Sequence, residues 1–233
     1  MGVQTDTVSI VIPAWNEEAY ITDTLSSLNK VKSELGRRCA LELIVVDDGS
    51  TDGTADSAYR FADQVVRHPS KYGKGCSLMS GLERAKGDYI VFLDADLGSS
   101  ASYLPLLLEP VLSGGADMTV AKLPAPQRKG GLGLVKGLAV SGIHRLSGFR
   151  SLAPLSGQRA LRTSVVRQIG TLAGGFGVEV GLTIDAVRLG YKVVELEVPF
   201  AHRETGRDLR SWLHRGRQLI SVSGVLCSRW WRS

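Results

Sequence analysis

The stretch Tyr89-Ile90-Val91-Phe92-Leu93-Asp94-Ala95-Asp96 decides how the rest of the chain is interpreted. Its apolar and aromatic residues are typical of a buried parallel strand. Asp94 and Asp96 follow directly, and residues two apart on an extended chain point to one side. Two neighbouring carboxylates repel each other unless a cation lies between them, so the pattern indicates a site for Mg²⁺ or Mn²⁺ that also bridges phosphate oxygens. The alternative is a solvated turn in which an aspartate caps the next segment.

Apolar runs elsewhere predict further strands separated by helices. Val8–Pro13 is an apolar run that should stop at its proline, Leu41–Val46 is a second run, and Gln64–Arg67 predicts a short third strand. Apolar residues at helical spacing lie between the runs, and Asn16 is suited to cap the first helix. Residues 148–159 are interpreted as a loop whose last four residues open a later helix through Leu161 and Val165. Strands that alternate with helices predict an α/β fold, a doubly wound and mainly parallel sheet flanked by helices.

Polar motifs follow two of the other predicted strands. Asp47 and Asp48 end the second strand, and Lys71–Gly75 is a basic glycine loop beyond the third. Glycine lets a backbone come close to a ligand, and lysine supplies a point charge for phosphate. Ligands of open α/β sheets bind beyond the carboxyl ends of the strands, so these motifs belong to one site. No P-loop or Gly-x-Gly-x-x-Gly motif follows the first strand, which argues against a dinucleotide-binding fold.

Charge is distributed unevenly along the chain. Residues 1–120 contain 10 Lys and Arg against 17 Asp and Glu, whereas residues 121–233 contain 18 against 6. A basic half beside an acidic, metal-holding half predicts an anionic second partner: a phosphate, a carboxylate or a lipid surface. The alternative is surface charge that serves only solubility. Five basic residues lie on predicted loops of the second half: Arg128, Lys129, Arg159, Arg203 and Arg207.

Three observations bear on location. The first residues lack the pattern of a signal peptide, and no apolar run approaches the roughly 20 residues that span a bilayer. Cys39, Cys76 and Cys227 are scattered, as expected of reduced thiols in a cytoplasm. Residues 209–233 form a basic amphipathic stripe that either lies on the inner face of an anionic membrane or docks on its own domain. No nucleic-acid partner is expected.

Four motifs together resemble the family-2 glycosyltransferases. They are Val11–Glu18, Val45–Thr54, Lys71–Gly75 and Leu93–Asp96, in that family's order and at its spacing, and the likeness covers roughly the first 120 residues. The resemblance implies a glycosyltransferase-A fold, a nucleotide-diphosphate sugar donor and a divalent metal, Mg²⁺ or Mn²⁺.

The resemblance also implies roles for individual residues. Asp48 faces the base, Asp94 approaches the ribose and Asp96 ligates the metal. The complete set of expected nucleotide-sugar contacts, including the motif lysines, is Pro13, Ala14, Glu17, Asp48, Lys71, Lys74, Asp94 and Ala95.

The second half is similar to glucosyl-3-phosphoglycerate synthases and the related family-81 enzymes. The similar pieces are Pro154–Gly157, Gly175–Leu182 and Ala201–Arg203. In those enzymes a histidine completes the metal site, so the resemblance gives His202 that role beside Asp96, with Asp94 as a further candidate ligand. The expected catalytic residues are Asp96, Glu179 and Arg203.

The acceptor is less sharply indicated. The synthases hold an acidic acceptor with an Arg and a Thr just after paired glycines, but here Gly130 and Gly131 are followed by Leu132, Gly133 and Leu134. This departure counts against 3-phosphoglycerate. The first half also resembles polyprenyl-phosphate sugar transferases, whose acceptor is a lipid phosphate. The candidate acceptor-binding residues are Lys129, Gly130, Gly131 and Arg159.

We therefore expect a metal-dependent glycosyltransferase that moves glucose from UDP-glucose to a phosphate- or carboxylate-bearing acceptor, either a small molecule or a polyprenyl phosphate. We predict one domain over 1–233, with a nucleotide-sugar half (1–120), an acceptor half (121–208) and a C-terminal helix (209–233). The alternatives are a sugar-1-phosphate nucleotidyltransferase, which normally carries a basic glycine-rich loop after its first strand, and a non-catalytic nucleotide-sugar sensor. Whether the chain forms a homodimer stays open.

Overall fold

The computed structural model describes residues 5–36, 38–124, 133–201 and 209–231. The strands within these ranges are β1 (Asp6–Ala14), β2 (Cys39–Asp47), β3 (Gln64–Arg67), β4 (Tyr89–Phe92), β5 (Met118–Lys122), β6 (Arg159–Arg162) and β7 (Val193–Glu197). The α-helices are α1 (Glu18–Leu35), α2 (Thr54–Ala58), α3 (Lys74–Leu82), α4 (Leu104–Leu112), α5 (Gly133–Ser147), α6 (Thr163–Ile169), α7 (Val178–Arg188) and α8 (Leu209–Trp230). Short 3₁₀ turns occupy Gly98–Tyr103 and Gly175–Gly177.

The strands form a single mixed sheet in the order β3-β2-β1-β4-β6-β5-β7. Neighbours β3-β2, β2-β1, β1-β4 and β5-β7 are parallel, whereas β6 runs antiparallel to both β4 and β5. The predicted doubly wound, mainly parallel sheet is therefore confirmed. The pairing of β4 with β6 also joins the two halves of the chain in one sheet.

Helices cover both faces of this sheet. Alternate residues of β1 pack against the helices of opposite faces. Ile10 and Ile12 are fully buried against the layer of α1 and α4. Val11 is fully buried against the layer that contains α3, α6 and α7. Successive side chains of a strand point to opposite faces, so an uninterrupted apolar run suits a strand buried on both sides.

Two local expectations are wrong. Residues 159–162 form a strand, because this segment inserts between β4 and β5, where Ala121 N donates to Gln158 O at 3.0 Å. Only the later part of the predicted helix forms, as α6. Asn16 does not cap α1: it has a positive φ of 55°, and Glu17 occupies the cap position without a side-chain hydrogen bond.

The strand predicted to stop at Pro13 runs one residue further, to Ala14. Pro13 pairs with Val46 of β2, but the ladder between β1 and β4 already ends at Val11 and Phe92. The missing N–H of proline therefore interrupts no pairing with β4, which is why a central strand tolerates it here.

The C-terminal helix α8 docks on α5, on α7 and on the Gly175–Gly177 turn. Val222 and Val225 are buried in this contact, and Arg229 donates to Asp185 Oδ2 at 2.6 Å. The docking alternative therefore holds for this face of the helix. Among the described residues, none of the helices is both long and apolar enough to cross a membrane.

Candidate active site

The carboxyl ends of β1, β2 and β4 meet at one edge of the sheet. Ala14 O accepts a hydrogen bond of 2.8 Å from Asp48 N, which joins the ends of β1 and β2. Leu93 N donates to Val11 O at 3.2 Å and joins β4 to the same edge. The motifs that sequence analysis assigned to one ligand site therefore lie together, at the place where open α/β sheets bind ligands.

The turn after β1 is tied to the loop after β2 by hydrogen bonds that include three from backbone N–H groups. Asn16 N donates to Ser50 Oγ at 2.9 Å, Thr51 N donates to Asn16 Oδ1 at 2.9 Å, and Glu17 N donates to Thr54 Oγ1 at 2.8 Å. Asn16 tolerates the left-handed conformation better than most residues, and its side chain bonds across the turn. The two loops therefore form a rigid wall on one side of the site.

The Asp48 carboxylate binds the backbone of the basic glycine loop, Lys71–Gly75. Its carboxylate is buried, accepts hydrogen bonds from Tyr72 N and Gly73 N, each at 2.8 Å, and lies 2.9 Å from His68 Nδ1. His68 Nε2 lies 2.9 Å from Ser80 Oγ of α3, which completes a chain from Asp48 to that helix. His68 was missed by sequence analysis, since nothing local marks a partner for Asp48.

Lys71 and Trp15 meet above this loop. The Lys71 Nζ lies 2.8 Å from the centroid of the Trp15 ring, an approach at which a cation is attracted to the face of an indole. Trp15 is 44% exposed, so it offers an aromatic surface at the mouth of the site. This pair joins the wall to the glycine loop.

Lys74, the first residue of α3, makes the central ion pairs of the site. Its Nζ lies 2.8 Å from Asp94 Oδ1 and 3.0 Å from Glu179 Oε1. Burial opposes the charge of Lys74, but the two carboxylates outweigh it and hold the pKa of Lys74 above its ordinary value. The lysine therefore stays charged. Lys74 is also a cation beside Asp94, as expected from the repulsion between Asp94 and Asp96.

Gln158 completes this cluster from the second half of the chain. It is fully buried, and its Nε2 donates to Asp94 Oδ2 at 2.6 Å. Gln158 was not predicted as a site residue, because its segment has the pattern of a helix start. The Asp94 carboxylate is thus held on one oxygen by an ammonium and on the other by an amide.

Gly157 leaves the space that this cluster occupies. A Cβ at this position would collide with Lys74 Nζ and would lie 3.2 Å from both Asp94 carboxylate oxygens. We expect Gly157→Ala to lower the free energy of unfolding by about 1–3 kcal/mol, because overpacking displaces neighbouring groups. Urea denaturation measures this change. Gly137→Ala on α5 is the matched control, because its Cβ meets nothing within 4 Å, and an equal loss in both variants would contradict the assignment.

Asp96 lies half-buried on the turn beyond β4, which Thr24 of α1 holds in place. Thr24 Oγ1 donates to Ala95 O at 2.8 Å and accepts from Gly98 N at 2.8 Å. Thr24, which sequence analysis also missed, therefore fixes the residues on either side of Asp96. The Asp96 carboxylate is set on a rigid turn at the edge of the site.

A divalent cation fits this donor set. Within the described ranges, no group of three or more His, Cys, Asp and Glu side chains converges. Mg²⁺ in nucleotide sites is usually held by one or two carboxylates together with substrate phosphates. The carboxylates of Asp96 and Asp94 are therefore enough protein ligands for such a site. Ala201 N donates to Ser100 Oγ at 2.9 Å, and that hydroxyl donates to Leu97 O at 2.6 Å. The residue before His202 is thus anchored beside the Asp96 turn.

Arg159 was predicted to contact an acceptor, and its guanidinium is buried, with 1% of the residue exposed. Its Nε donates to Ser156 O at 2.9 Å and its Nη1 donates to Thr183 Oγ1 at 2.8 Å, while Nη2 is buried without a partner. Burial lowers the pKa of Arg159 to about 10, against the opposing attraction of Glu179 and Glu195. Thr183 Oγ1 donates in turn to Glu179 O at 2.9 Å, so Arg159 supports the backbone of Glu179 through Thr183. Direct contact of Arg159 with an acceptor stays a prediction.

Of the remaining sequence predictions, Pro13 and Ala14 lie at the end of β1, beside Asp48. The others fall outside the described residues: Lys129, Gly130, Gly131, His202 and Arg203.

Comparison with known proteins gives one family and several relatives. The model of Glycosyl transferase family 2 matches residues 9–166. Glucosyl-3-phosphoglycerate synthase of Mycobacterium tuberculosis is 32% identical over 212 residues, which cover 81% of this chain and 63% of that enzyme. The chain therefore spans less than two thirds of the length of that relative. An undecaprenyl-phosphate 4-deoxy-4-formamido-L-arabinose transferase of Pseudomonas aeruginosa is 36% identical over 115 residues, 47% of this chain and 33% of that protein.

The likeness to a solved structure extends over almost the whole chain. The crystal structure of the M. tuberculosis synthase in complex with Mn²⁺, uridine diphosphate and glucosyl-3-phosphoglycerate aligns with a TM-score of 0.77 at 31% identity. The alignment covers 96% of this chain and 80% of that chain. The likeness therefore includes the second half, from which Gln158 and Glu179 enter the site.

Proposed function

We propose, from the premise that this chain belongs to glycosyl transferase family 2, that it transfers a sugar from a nucleotide-diphosphate donor to a phosphate- or carboxylate-bearing acceptor. The sheet and its helices are those of the glycosyltransferase-A fold. The observation that carries the proposal is the cluster of Lys74, Asp94 and Glu179 beside Asp96, because it places fixed charge of both signs at the carboxyl edge of the sheet.

The donor is proposed to be a UDP-sugar, with glucose as the sugar. The nucleoside lies against Pro13 and Ala14 at the end of β1 and against Glu17 of the rigid wall. The glycine loop that Asp48 holds covers it. A recess beside Asp48, lined by Gly49, Ser50, Thr51, Arg67, His68 and Pro69, supports this placement. The M. tuberculosis relative, whose crystal contains uridine diphosphate, supports the choice of base.

Lys74 and Asp96 are proposed to hold the diphosphate. Two of the three N–H groups of Lys74 donate to Asp94 and Glu179, so its charge is oriented before the donor arrives. Asp96 and His202, with Asp94 as a further ligand, are proposed to hold Mg²⁺ or Mn²⁺, and Ala201 anchored beside the Asp96 turn supports this set. When bound, the ion neutralises the charge that develops on the leaving diphosphate.

The chain's own residues orient the reacting groups. Glu179, the second residue of α7 and 7% exposed, is proposed to accept a hydrogen bond from the sugar while its Oε1 is paired with Lys74 Nζ at 3.0 Å. Positioning of this kind, together with charge placed where the transition state needs it, supplies much of the rate enhancement in enzymes. An acceptor oxygen bonds to the anomeric carbon as the sugar–phosphate bond breaks and the nucleoside diphosphate departs. A hydroxyl acceptor gives its proton to the departing diphosphate, whereas an ionised phosphate acceptor has no proton to lose.

The acceptor carries a phosphate or a carboxylate in this proposal, and two sources share that chemistry. One is a small phosphorylated acid, as in the M. tuberculosis relative, and the other is a polyprenyl phosphate, as in the P. aeruginosa relative. The leucines that follow the paired glycines favour the lipid source, and the basic second half fits both. A cytoplasmic location, at or near the inner face of the membrane, belongs to the same proposal.

The test is a panel that combines uridine- and guanosine-diphosphate sugars with 3-phosphoglycerate and a short polyprenyl phosphate. Release of nucleoside diphosphate that depends on the acceptor, together with a new glycoside, is the expected result. Pyrophosphate release from a sugar 1-phosphate and a nucleoside triphosphate would identify a nucleotidyltransferase instead. If calorimetry detects binding of the donor but neither acceptor is glycosylated, the result would favour a non-catalytic nucleotide-sugar sensor.

Arg203→Ala tests how the acceptor is held. If Arg203 contacts the anionic group of the acceptor, we expect kcat/KM for the acceptor to fall about tenfold or more, because a charge-assisted hydrogen bond contributes about 1.5–3 kcal/mol. Hydrolysis of the donor without acceptor should fall much less. An equal loss in both reactions would assign Arg203 to the donor diphosphate, and no loss in either would remove it from the site.

A further inference from the structure

One apolar surface of the molecule is exposed although the elements that form it are well packed underneath. It comprises Leu134 (83% exposed) of α5 together with residues of α8 and its end, Leu219 (40%), Ile220 (74%), Trp230 (54%) and Trp231 (87%). We call it the α5–α8 face. Single exposed apolar residues are ordinary, whereas large apolar side chains gathered on one side of a helix pair mark contact sites.

The geometry of the two helices places these residues on one side. Gly142 of α5 lies against Leu226 of α8, and Arg145 Cζ lies 5.6 Å from the centroid of the Trp230 ring, so the helices run in the same direction. Leu134 and Arg145 are three helical turns apart and share a face of α5. Leu219 precedes Trp230 by the same interval on α8, so Leu134 lies level with Leu219.

Ile220 and Trp231 extend this surface outward. They lie on the next face of α8, away from the buried Val222 and Val225 that dock the helix on its own domain. The helix is therefore apolar on two sides. One side is covered by the protein, and among the described residues no element covers the other.

The charge of the two helices identifies the occupant. Their sequences contain six Lys and Arg residues and no Asp or Glu: Lys136, Arg145, Arg210, Arg215, Arg217 and Arg229. Arg229 is neutralised by Asp185, which leaves the pair strongly cationic. Amphipathic helices with basic residues and tryptophans bind at the headgroup level of anionic bilayers, where the indole meets both apolar and polar surroundings.

We propose that the α5–α8 face binds the surface of an anionic membrane, with Ile220, Trp230 and Trp231 inserted at the headgroup boundary. The opposite side of α8 packs on the Gly175–Gly177 turn, where Gly177 lies against Val225. That turn leads directly into Glu179 of the candidate site. The membrane would thus lie about one helix diameter, roughly 10 Å, from the helix that carries Glu179. Vesicle binding itself does not depend on the proposed transferase activity.

The experiment is flotation of the full chain with vesicles of phosphatidylcholine alone and of phosphatidylcholine with about one third phosphatidylglycerol. We expect binding to the anionic vesicles only, with release at high salt. Ile220→Ser combined with Trp231→Ser should weaken binding to the anionic vesicles about tenfold or more. Arg145→Glu should weaken the same binding about fivefold or more. All three side chains are exposed, so the variants should keep the thermal midpoint of the wild type.

Leu106→Ser and Tyr59→Ser are the matched controls, because these residues are 51% and 58% exposed and lie on other elements. They should bind vesicles as the wild type does. Failure of the wild type to float, equal binding to neutral vesicles, or equal losses in the controls would overturn the proposal. Sedimentation of the unliganded protein as a dimer that Ile220→Ser/Trp231→Ser dissociates would also overturn it, since a second copy would then occupy the face.

Discussion

Replacing Asp96 with alanine should reduce sugar transfer about 10²- to 10³-fold, the range found when one preorganised charge-stabilising group is removed from an active site. Asp96 lies on a turn that Thr24 fixes on both sides, beside the anchored Ala201, so its carboxylate is preorganised for the ion. His202→Ala should behave alike if the histidine shares the ion. Initial rates at saturating Mn²⁺ measure both variants.

Binding of Mn²⁺ can be measured separately from turnover to test the role of Asp96. The electron paramagnetic resonance signal of free Mn²⁺ should decrease when wild-type protein and uridine diphosphate are added, and much less with Asp96→Ala. Asp23→Ala, an exposed carboxylate on α1, is the matched control and should leave both rate and signal unchanged. Full activity of the wild type in excess EDTA would contradict metal dependence altogether.

Replacing Lys74 with methionine should weaken both the fold and the reaction. Removing one partner of a fully buried ion pair costs about 3–5 kcal/mol. The Lys74 side chain is 23% exposed, which lowers the expected loss in free energy of unfolding to about 2 kcal/mol. Asp94 and Glu179 then repel each other without the ammonium between them. Transfer should fall about 10²-fold, because the same charge faces the donor diphosphate.

A double-mutant cycle separates these effects. Lys74→Met combined with Glu179→Gln removes the uncompensated carboxylate, so urea denaturation should recover about half of the lost stability, whereas transfer should not recover. Lys32→Met is the control, since Lys32 pairs with Asp63 on the surface at 2.6 Å and such pairs contribute about 1 kcal/mol or less. Transfer by Lys74→Met at the wild-type rate, despite the loss of stability, would show that Lys74 serves the fold alone.

The strands and helices that sequence analysis predicted well are those with a strong local pattern. Buried on both faces, β1, β2 and β4 appear as continuous apolar runs, and their alternation with helices fixes the parallel arrangement. The strand β6 is different, because Gln158 and Arg159 are polar yet fully buried. Their burial depends on Asp94 and Thr183, distant partners that no local pattern reveals.

The candidate site also contains contacts that no local sequence pattern predicts. Lys74 and Asp94 could be predicted as members of motifs, but their ion pairs with each other and with Glu179 depend on how α7 crosses the sheet edge. Asn16 was expected to cap α1, yet its side chain bonds to Thr51 N across the turn instead. In each case the residue type was informative, while the partner was set by the tertiary fold.

The bonds around Asp94 have a consequence for protein engineering. One oxygen of this carboxylate accepts from Lys74 of the first half of the chain, and the other accepts from Gln158 of the second half. The two halves are therefore not interchangeable modules. A chimera that grafts a foreign acceptor half onto this donor half should keep a glycine at 157, a glutamine at 158 and a glutamate at 179. Otherwise Asp94 loses its amide partner and Lys74 loses one of its two carboxylates. Recombination libraries should place their crossovers before α3 or beyond α7, so that one parent supplies Lys74, Asp94, Gln158 and Glu179 together.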